Sequence, residues 1–381
     1  MVKSKIVLVL VLTVSLFTMA SLTLDWGRVY TLGGSQEIFD VKSTDDGVYL
    51  FGYTNEKGFN EDILILQFDQ VGNVVYENKL GGNYNDWANQ GILTSDGDML
   101  LVGTSNSYGS DSDFYVSKIG KNKFSTNINK LGNDKGSAVV EVEDGYVVGY
   151  GSDPDTLNLR GKMVKLNKEG EVVFEKWLPY FVAGSDTKPL SIQKTSDGNF
   201  IVAGTVVELF ENKTKFYLAK VDPNGEEIWT KVFAPRDYAR GFDVKEVPGG
   251  YVAVGYEGSW DSKWSDIYVV KVNPEGHILW EGFYGDVESD HGYSVAVGPN
   301  GNIYVAGYVA TLNGDKDFAI LEYDNNGNLL TEKSLGGYSD DVAYAIDIDN
   351  NGNLYVAGYS QSSDLGADAQ KDVFILKYTV R

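Results

Sequence analysis

One motif recurs seven times along this chain: two to four apolar residues that end on a glycine, usually with tyrosine after it. It stands at Tyr49-Leu50-Phe51-Gly52-Tyr53, Leu100-Leu101-Val102-Gly103-Thr104, Val147-Val148-Gly149-Tyr150 and Ile201-Val202-Ala203-Gly204-Thr205, then at Gly255-Tyr256, Gly307-Tyr308 and Gly358-Tyr359. Successive glycines are 51, 46, 55, 51, 52 and 51 residues apart. A fixed period of this length is the mark of a repeat architecture, in which no unit buries its apolar faces alone. We number the repeats one to seven after these glycines.

Each repeat reads as four strands, a to d. An Asp-Gly or Asn-Gly turn joins a to b at Asp46-Gly47, Asp96-Gly97, Asp144-Gly145, Asp197-Gly198, Asn300-Gly301 and Asn351-Gly352, with Gly249-Gly250 in repeat five. Such dipeptides tolerate positive φ and mark hairpins. A second turn joins c to d, as at Asp69 to Gly72 and Asn273 to Gly276, and Gly81-Gly82 or Gly336-Gly337 then leads to the next repeat. The seventh copy stops after strand c, Asp372 to Arg381, while an unmatched strand followed by Gly33-Gly34 lies at the other end, Thr23 to Tyr30. The expected fold is therefore all-β: a seven-bladed β-propeller over residues 21–381, with four-stranded antiparallel blades and a ring closed by the N-terminal strand. A linear β-solenoid is the alternative.

Gly301-Asn302-Ile303-Tyr304-Val305-Ala306-Gly307-Tyr308 and Gly352-Asn353-Leu354-Tyr355-Val356-Ala357-Gly358-Tyr359-Ser360 resemble the core of the seven-bladed β-propeller (SBBP) repeat family. The resemblance runs over nearly all of residues 21–381. It implies a bacterial extracellular or envelope protein and brings no shared catalytic chemistry.

Before the first repeat, Lys3 and Lys5 precede an apolar run from Ile6 to Phe17 and then Thr18-Met19-Ala20. This is the layout of a secretory signal peptide over residues 1–20, cut near Ala20. The run is short for a membrane span, so no membrane insertion is expected after cleavage. The expected location is secreted, periplasmic or cell-envelope.

Composition excludes several chemistries. There is no cysteine, so disulfides, thiolate metal sites and a cysteine nucleophile are out. Only His277 and His291 are present. Net charge is −22, which opposes binding to nucleic acid. Mean hydropathy is −0.22, with 44 glycines and 8 prolines, as suits short strands and many tight turns. No cofactor or metal is expected. Asp347 to Gly352 matches the start of a calcium loop, but the twelfth position is Gly358 where a bidentate Glu belongs, so a hairpin is the simpler reading. Asp222 to Gly225 with Trp229, and Asn273 to Gly276 with Trp280, resemble the tryptophan-docking turns of quinoprotein propellers and read as packing between blades.

Position in the repeat separates scaffold from site. Residues that recur in most copies hold every copy together: Asp62, Asp113, Asp266, Asp317 and Asp372 open strand c, and Lys118, Lys165, Lys220, Lys271 and Lys377 sit within it. Residues that break the repeat in the d–a and b–c loops are the candidate partner surface: Tyr84, Asp86, Trp87, Arg236, Tyr238, Arg240, Trp260, Trp264, Asp290, His291 and Tyr338. Of five arginines, Arg236 and Arg240 share one loop, where Ala234-Pro235 replaces Gly-Gly. Arginine pairs bidentately with carboxylates, so an acidic sugar or a protein carboxylate is the expected ligand. The sequence points to a monomeric, non-catalytic binding or scaffold protein with a protein or glycan partner. A carbohydrate-active hydrolase or lyase using two carboxylates is the alternative.

Overall fold

The computed structural model describes residues 5–8 and 22–380, apart from 57–59, 108–111, 129–133, 153–160, 180–184, 209–212, 234–235, 260–263, 287 and 369. The expected signal segment thus lies outside the described residues, except for Lys5–Leu8. The described secondary structure is all strand, in six sheets. Repeat one is representative: Gln36–Thr44, Gly47–Thr54, Asp62–Asp69 and Val74–Leu80 form one antiparallel sheet in chain order. One sheet has eight strands. It comprises the four strands of repeat four and the four of repeat five, joined where Thr214 pairs in parallel with Tyr238.

The turn signals act as their chemistry requires. Gly97, Gly198, Gly301 and Gly352 all have φ between 80° and 86°, in the left-handed region. The motif glycine of strand b has a different cause. In six repeats strand a carries a β-bulge, and the skipped residue is Phe39, Asn89, Ser137, Leu190, Phe242 or Tyr344. Near the bulge, a strand-a carbonyl presses on strand b. A Cβ on Gly52, Gly103 or Gly255 would lie 1.8 Å from the carbonyl oxygen of Glu37, Trp87 or Arg240. Only glycine fits there.

The chain forms two compact units, residues 1–80 with 293–381, and residues 81–292. In each, the core lies between the sheets of successive repeats. In the first unit, Tyr304, Phe318 and Ile320 of repeat six meet Leu354, Val356 and Phe374 of repeat seven. In the second, Ile201, Phe216 and Leu218 of repeat four meet Tyr251, Tyr268 and Val270 of repeat five. Strand c is apolar on both faces because each face is buried, as Ile63 to Leu66 illustrate at 0–1% exposure.

Both chain ends share the sheet of repeat seven. Leu22–Thr31 pairs antiparallel with Asp372–Val380, so Val29 faces Phe374 and Tyr30 faces Val373. Lys5–Leu8 adds a further strand beyond Leu22–Thr31. Trp26 donates its indole N–H to the Gln70 carbonyl at 3.0 Å, and Trp229 donates to Pro274 O at 2.9 Å. These tryptophans pin strand d of one repeat to a c–d turn of another.

The lysines of strand c are structural. Lys118, Lys165 and Lys220 each reach back to the Asp of their own a–b turn, Asp96, Asp144 and Asp197, at 2.5–2.6 Å. Two of them also lie over a tyrosine of the following repeat: Lys118 over Tyr146, and Lys220 over Tyr251. Repeat five has glycine in place of the Asp, and Lys271 donates instead to the Pro248 carbonyl at 3.0 Å.

Candidate functional site

The candidate residues of repeat five come together at one end of its strands. Arg236 stands just before strand a, Tyr238–Val247, and spans two carboxylates of its own repeat. Its Nε lies 3.2 Å from Glu257 Oε1, and its Nη1 lies 3.2 Å from Asp266 Oδ2. Glu257 is 1% exposed and keeps one oxygen without a hydrogen bond. Burial pushes its carboxyl above the usual range, while Arg236 pulls it down. Arg236 is thus tied to its own repeat although its side chain stays 49% exposed, and Arg240 is exposed as well.

Around them is an aromatic group. Tyr238 lies 5.4 Å from Tyr256, whose hydroxyl donates to the Tyr238 hydroxyl at 3.1 Å. Phe242, the bulged residue of strand a, lies 5.8 Å from Tyr256. His291 stacks on Tyr256 with ring centroids 3.8 Å apart and planes 15° apart. The His291 Nε2 also lies 2.9 Å from Ser265 Oγ. Ser265 is 2% exposed, so its hydroxyl is not presented to a substrate. It fixes the imidazole rather than serving as a nucleophile.

The remaining candidates divide between loop supports and exposed surface. Asp86 and Asp290 were expected at the surface and are each 1% exposed. The Asp86 carboxylate turns back into its loop, accepting from Gly82 N at 3.0 Å, Ser107 Oγ at 2.6 Å and the Ser105 hydroxyl. Asp290 accepts from Asp286 N at 3.2 Å in the same way. A short polar loop satisfies its own amides first, and these carboxylates supply the acceptors. Tyr84, Trp264 and Tyr338 are exposed, at 62%, 49% and 87%. Trp87 is half-buried in strand a of repeat two. Trp260 and Ala234-Pro235 lie outside the described residues.

Sequence reasoning missed Ser265, Tyr256, Phe242 and Glu257. Tyr256 and Glu257 were hidden by the repeat motif itself, and Ser265 by the absence of any motif around it.

Other features offer less to a ligand. Asp349 in the calcium-like turn accepts from Asn351 N, Asn353 N and Asn353 Nδ2 at 2.6–2.9 Å, so the turn fills its own acceptor. No group of three or more His, Asp or Glu among the described residues is arranged to hold a metal ion. A shallow depression of about 610 Å³ lies at the opposite end of the repeat-five strands, between the a–b turns of repeats four and five, lined by Asp197, Glu246 and Tyr251 among others. In the other unit, the Asp317 carboxyl is pushed up to about 6 by burial and by Asp341 and two other nearby carboxylates.

Residues 335–366 match the family model described as a beta-propeller repeat (SBBP), and residues 298–329 match that of a beta-propeller domain of unknown function. No curated protein matches the chain in sequence. Among solved structures, a protein of unknown function from Dyadobacter fermentans superposes with a TM-score of 0.54 at 13% identity, over 95% of this chain and 100% of that one. A puromycin-hydrolyzing peptidase of Mycobacterium tuberculosis gives 0.52 at 12% identity, over 85% of this chain and 49% of that one. The beta-propeller domain of the Trilobed protease from Pyrococcus furiosus, described as an open velcro topology, gives 0.50 at 12% identity, over 90% of this chain and 95% of that one. At these identities the likeness concerns the fold alone, and it agrees with the four-stranded sheets and the recurring motif: the chain is a β-propeller repeat protein.

Proposed function

We propose that this chain is a non-catalytic binding protein of the cell exterior, with seven blades closed into a ring and one partner contact at repeat five. Ring closure is supported by the sheet that Leu22–Thr31 shares with Asp372–Val380. Export is supported by the Lys3, Lys5 and Ile6 to Phe17 pattern, with cleavage near Ala20. Removal of residues 1–20 leaves 30 basic against 54 acidic side chains. The protein then acts as a monomer, without a cofactor, and presents its surface to a protein or glycan.

The observation that carries the partner contact is Arg240. It is an exposed arginine that faces Tyr256 across strands a and b, with Tyr238 and His291 half-buried against that ring, in a strongly acidic chain. A carboxylate-bearing partner gains a bidentate ion pair there and apolar contact with rings already locked by their neighbours, at low entropic cost. Arg236 contributes differently, since its single positive charge pairs with Glu257 and Asp266 and offsets part of the negative charge beside the contact. Immobilised polygalacturonate, a carboxylate-rich glycan, is a direct probe. Arg240→Ala is expected to abolish its binding with no change in melting temperature; undiminished binding overturns the site.

A hydrolase reading rests on one observation, the Asp317 carboxyl pushed up to about 6 beside Asp341, a property a general acid needs. Asp341 is fully buried, which places half of that pair out of a substrate's reach and favours binding over catalysis. Release of reducing sugar that disappears in Asp317→Asn would reverse this preference.

A further inference from the structure

The bulged position of strand a does not call for an aromatic ring in every repeat. Repeat two places Asn89 there and repeat three Ser137. In the unit formed by residues 1–80 and 293–381, however, the same position holds Phe39 in repeat one and Tyr344 in repeat seven, and by sequence register Tyr293 in repeat six. All three are half-buried. They touch in a row: Phe39 is 5.6 Å from Tyr344, and Tyr344 is 4.9 Å from Tyr293, centroid to centroid. Each also leans on the tyrosine that follows the motif glycine in its own repeat. Phe39 lies 5.8 Å from Tyr53, Tyr344 lies 5.9 Å from Tyr359, and Tyr293 lies 6.1 Å from Tyr308. Those second rings are buried, at 8%, 3% and 5% exposure. The result is a two-tier aromatic shelf, with an upper tier reachable from solvent and a lower tier that holds it rigid. A β-bulge is a usual means of re-aiming a side chain toward a site.

The polar groups beside the shelf define the ligand. Lys371 lies over the Tyr359 ring at 4.4 Å and pairs with Glu37, which also accepts from the Tyr53 hydroxyl at 2.6 Å. Lys316 lies over Tyr308 at 5.1 Å and pairs with Asp340 at 3.4 Å. Both cations are already matched by carboxylates, so the shelf has no excess positive charge with which to attract an anion. Successive rings of the upper tier are turned by 60°, which offers a series of separate faces rather than one flat plate. Such a surface suits a chain of rings that carry apolar C–H faces and hydroxyl edges. We propose that Phe39, Tyr344 and Tyr293 form a binding site for a neutral oligosaccharide, distinct from the Arg240 contact and independent of it.

The test uses the full chain and four neutral hexasaccharides, cellohexaose, laminarihexaose, mannohexaose and chitohexaose, titrated calorimetrically at about 1 mM, a concentration that reports weak binding. At least one is expected to bind. Phe39→Asn and Tyr344→Asn introduce the residue that repeat two uses at this position, so the fold is retained, and each is expected to weaken binding about tenfold, as for loss of an aromatic contact. Tyr293→Ser, after repeat three, serves if either variant fails to fold. Arg240→Ala leaves this binding unchanged. Absence of binding by all four sugars, or equal affinity in the shelf variants, overturns the proposal. Binding that survives in the shelf variants but is lost in Arg240→Ala overturns it as well, and leaves the repeat-five reading standing.

Discussion

His291 lies flat against Tyr256, with ring centroids 3.8 Å apart, and its Nε2 meets the Ser265 hydroxyl at 2.9 Å. The histidine opens strand a of repeat six, yet its contacts are with repeat five. It therefore ties two successive repeats at the candidate contact. A stacked aromatic pair and one buried-side hydrogen bond together contribute about 1–2 kcal/mol. His291→Ala is expected to lower the unfolding free energy by that amount, read as a lower urea midpoint with no change in m-value. A change within experimental error would assign the histidine to the surface alone.

Lys118 and Asp96 illustrate how an ion pair can be unequal. The Lys118 side chain is 1% exposed, while that of Asp96 is 37% exposed. Removing the acid leaves a buried ammonium with Asp98 at 3.6 Å as its remaining carboxylate, beside the Tyr146 ring; removing the base leaves a carboxylate that water can solvate. Breaking a buried pair is costly when the orphan stays buried. Asp96→Ala is thus expected to lower the melting temperature more than Lys118→Met, which keeps the apolar stem. The reverse order would contradict this account of the recurring lysines.

The carboxyls of Asp317 and Asp372 are both pushed up to about 6, first of all by burial. Each folded-state value lies above the unfolded one, near 3.9, so between the two the folded chain holds more protons. This contribution to stability is complete below about pH 4 and is lost as pH rises through about 6. Asp317→Asn mimics the protonated form. It is expected to raise the melting temperature at pH 8 and to change it little at pH 4. Equal effects at both pH values would place the Asp317 pKa at an ordinary value.

The strands, both turn series and the terminal strand shared with repeat seven were legible in the sequence, because apolar period and turn chemistry are local signals that seven copies reinforce. The bulges were not. A single skipped residue such as Phe39 leaves the apolar pattern readable on both sides and shows only as a change of register. Burial of Asp86 and Asp290 was also hidden, since an acidic residue in a polar loop carries no mark of the amides that will enclose it. Arg236 was legible as a repeat-breaking cation, but its partners Glu257 and Asp266 lie on other strands and could not be read from spacing.

Metal dependence follows from the turns. Asp349 already accepts three hydrogen bonds from its own turn, and Asp324 has three from Asn326 and Asn328. A cation would have to replace those donors. Adding EDTA is expected to leave the melting temperature unchanged, whereas a ligand that prefers the native state would stabilise by mass action. A drop on chelation would show that one or more of these turns binds metal.

The strand Leu22–Thr31 is held by Asp372–Val380 along most of its length. It buries Leu22, Val29 and Tyr30 at 3% exposure or less, and Trp26 at 9%. Each buried side chain of this size contributes about 1.5–3 kcal/mol, so together they rival the 5–15 kcal/mol by which a typical domain is stable. Deletion of residues 21–31 from a chain that lacks residues 1–20 also bares the backbone of Asp372–Val380 as a new sheet edge, which pairs readily with other chains. The truncated protein is expected to self-associate and to lose its cooperative thermal transition. A synthetic peptide of residues 22–31 should restore both properties, because the register fixed by Trp26, Val29 and Tyr30 is specified by side chains on that peptide. Trp26→Ala in the full chain is a milder probe, with an expected cost of about 3–5 kcal/mol. A truncated chain that stays monomeric and melts at the parent temperature would mean that repeat seven is stable with three strands, and the ring reading would fall with it.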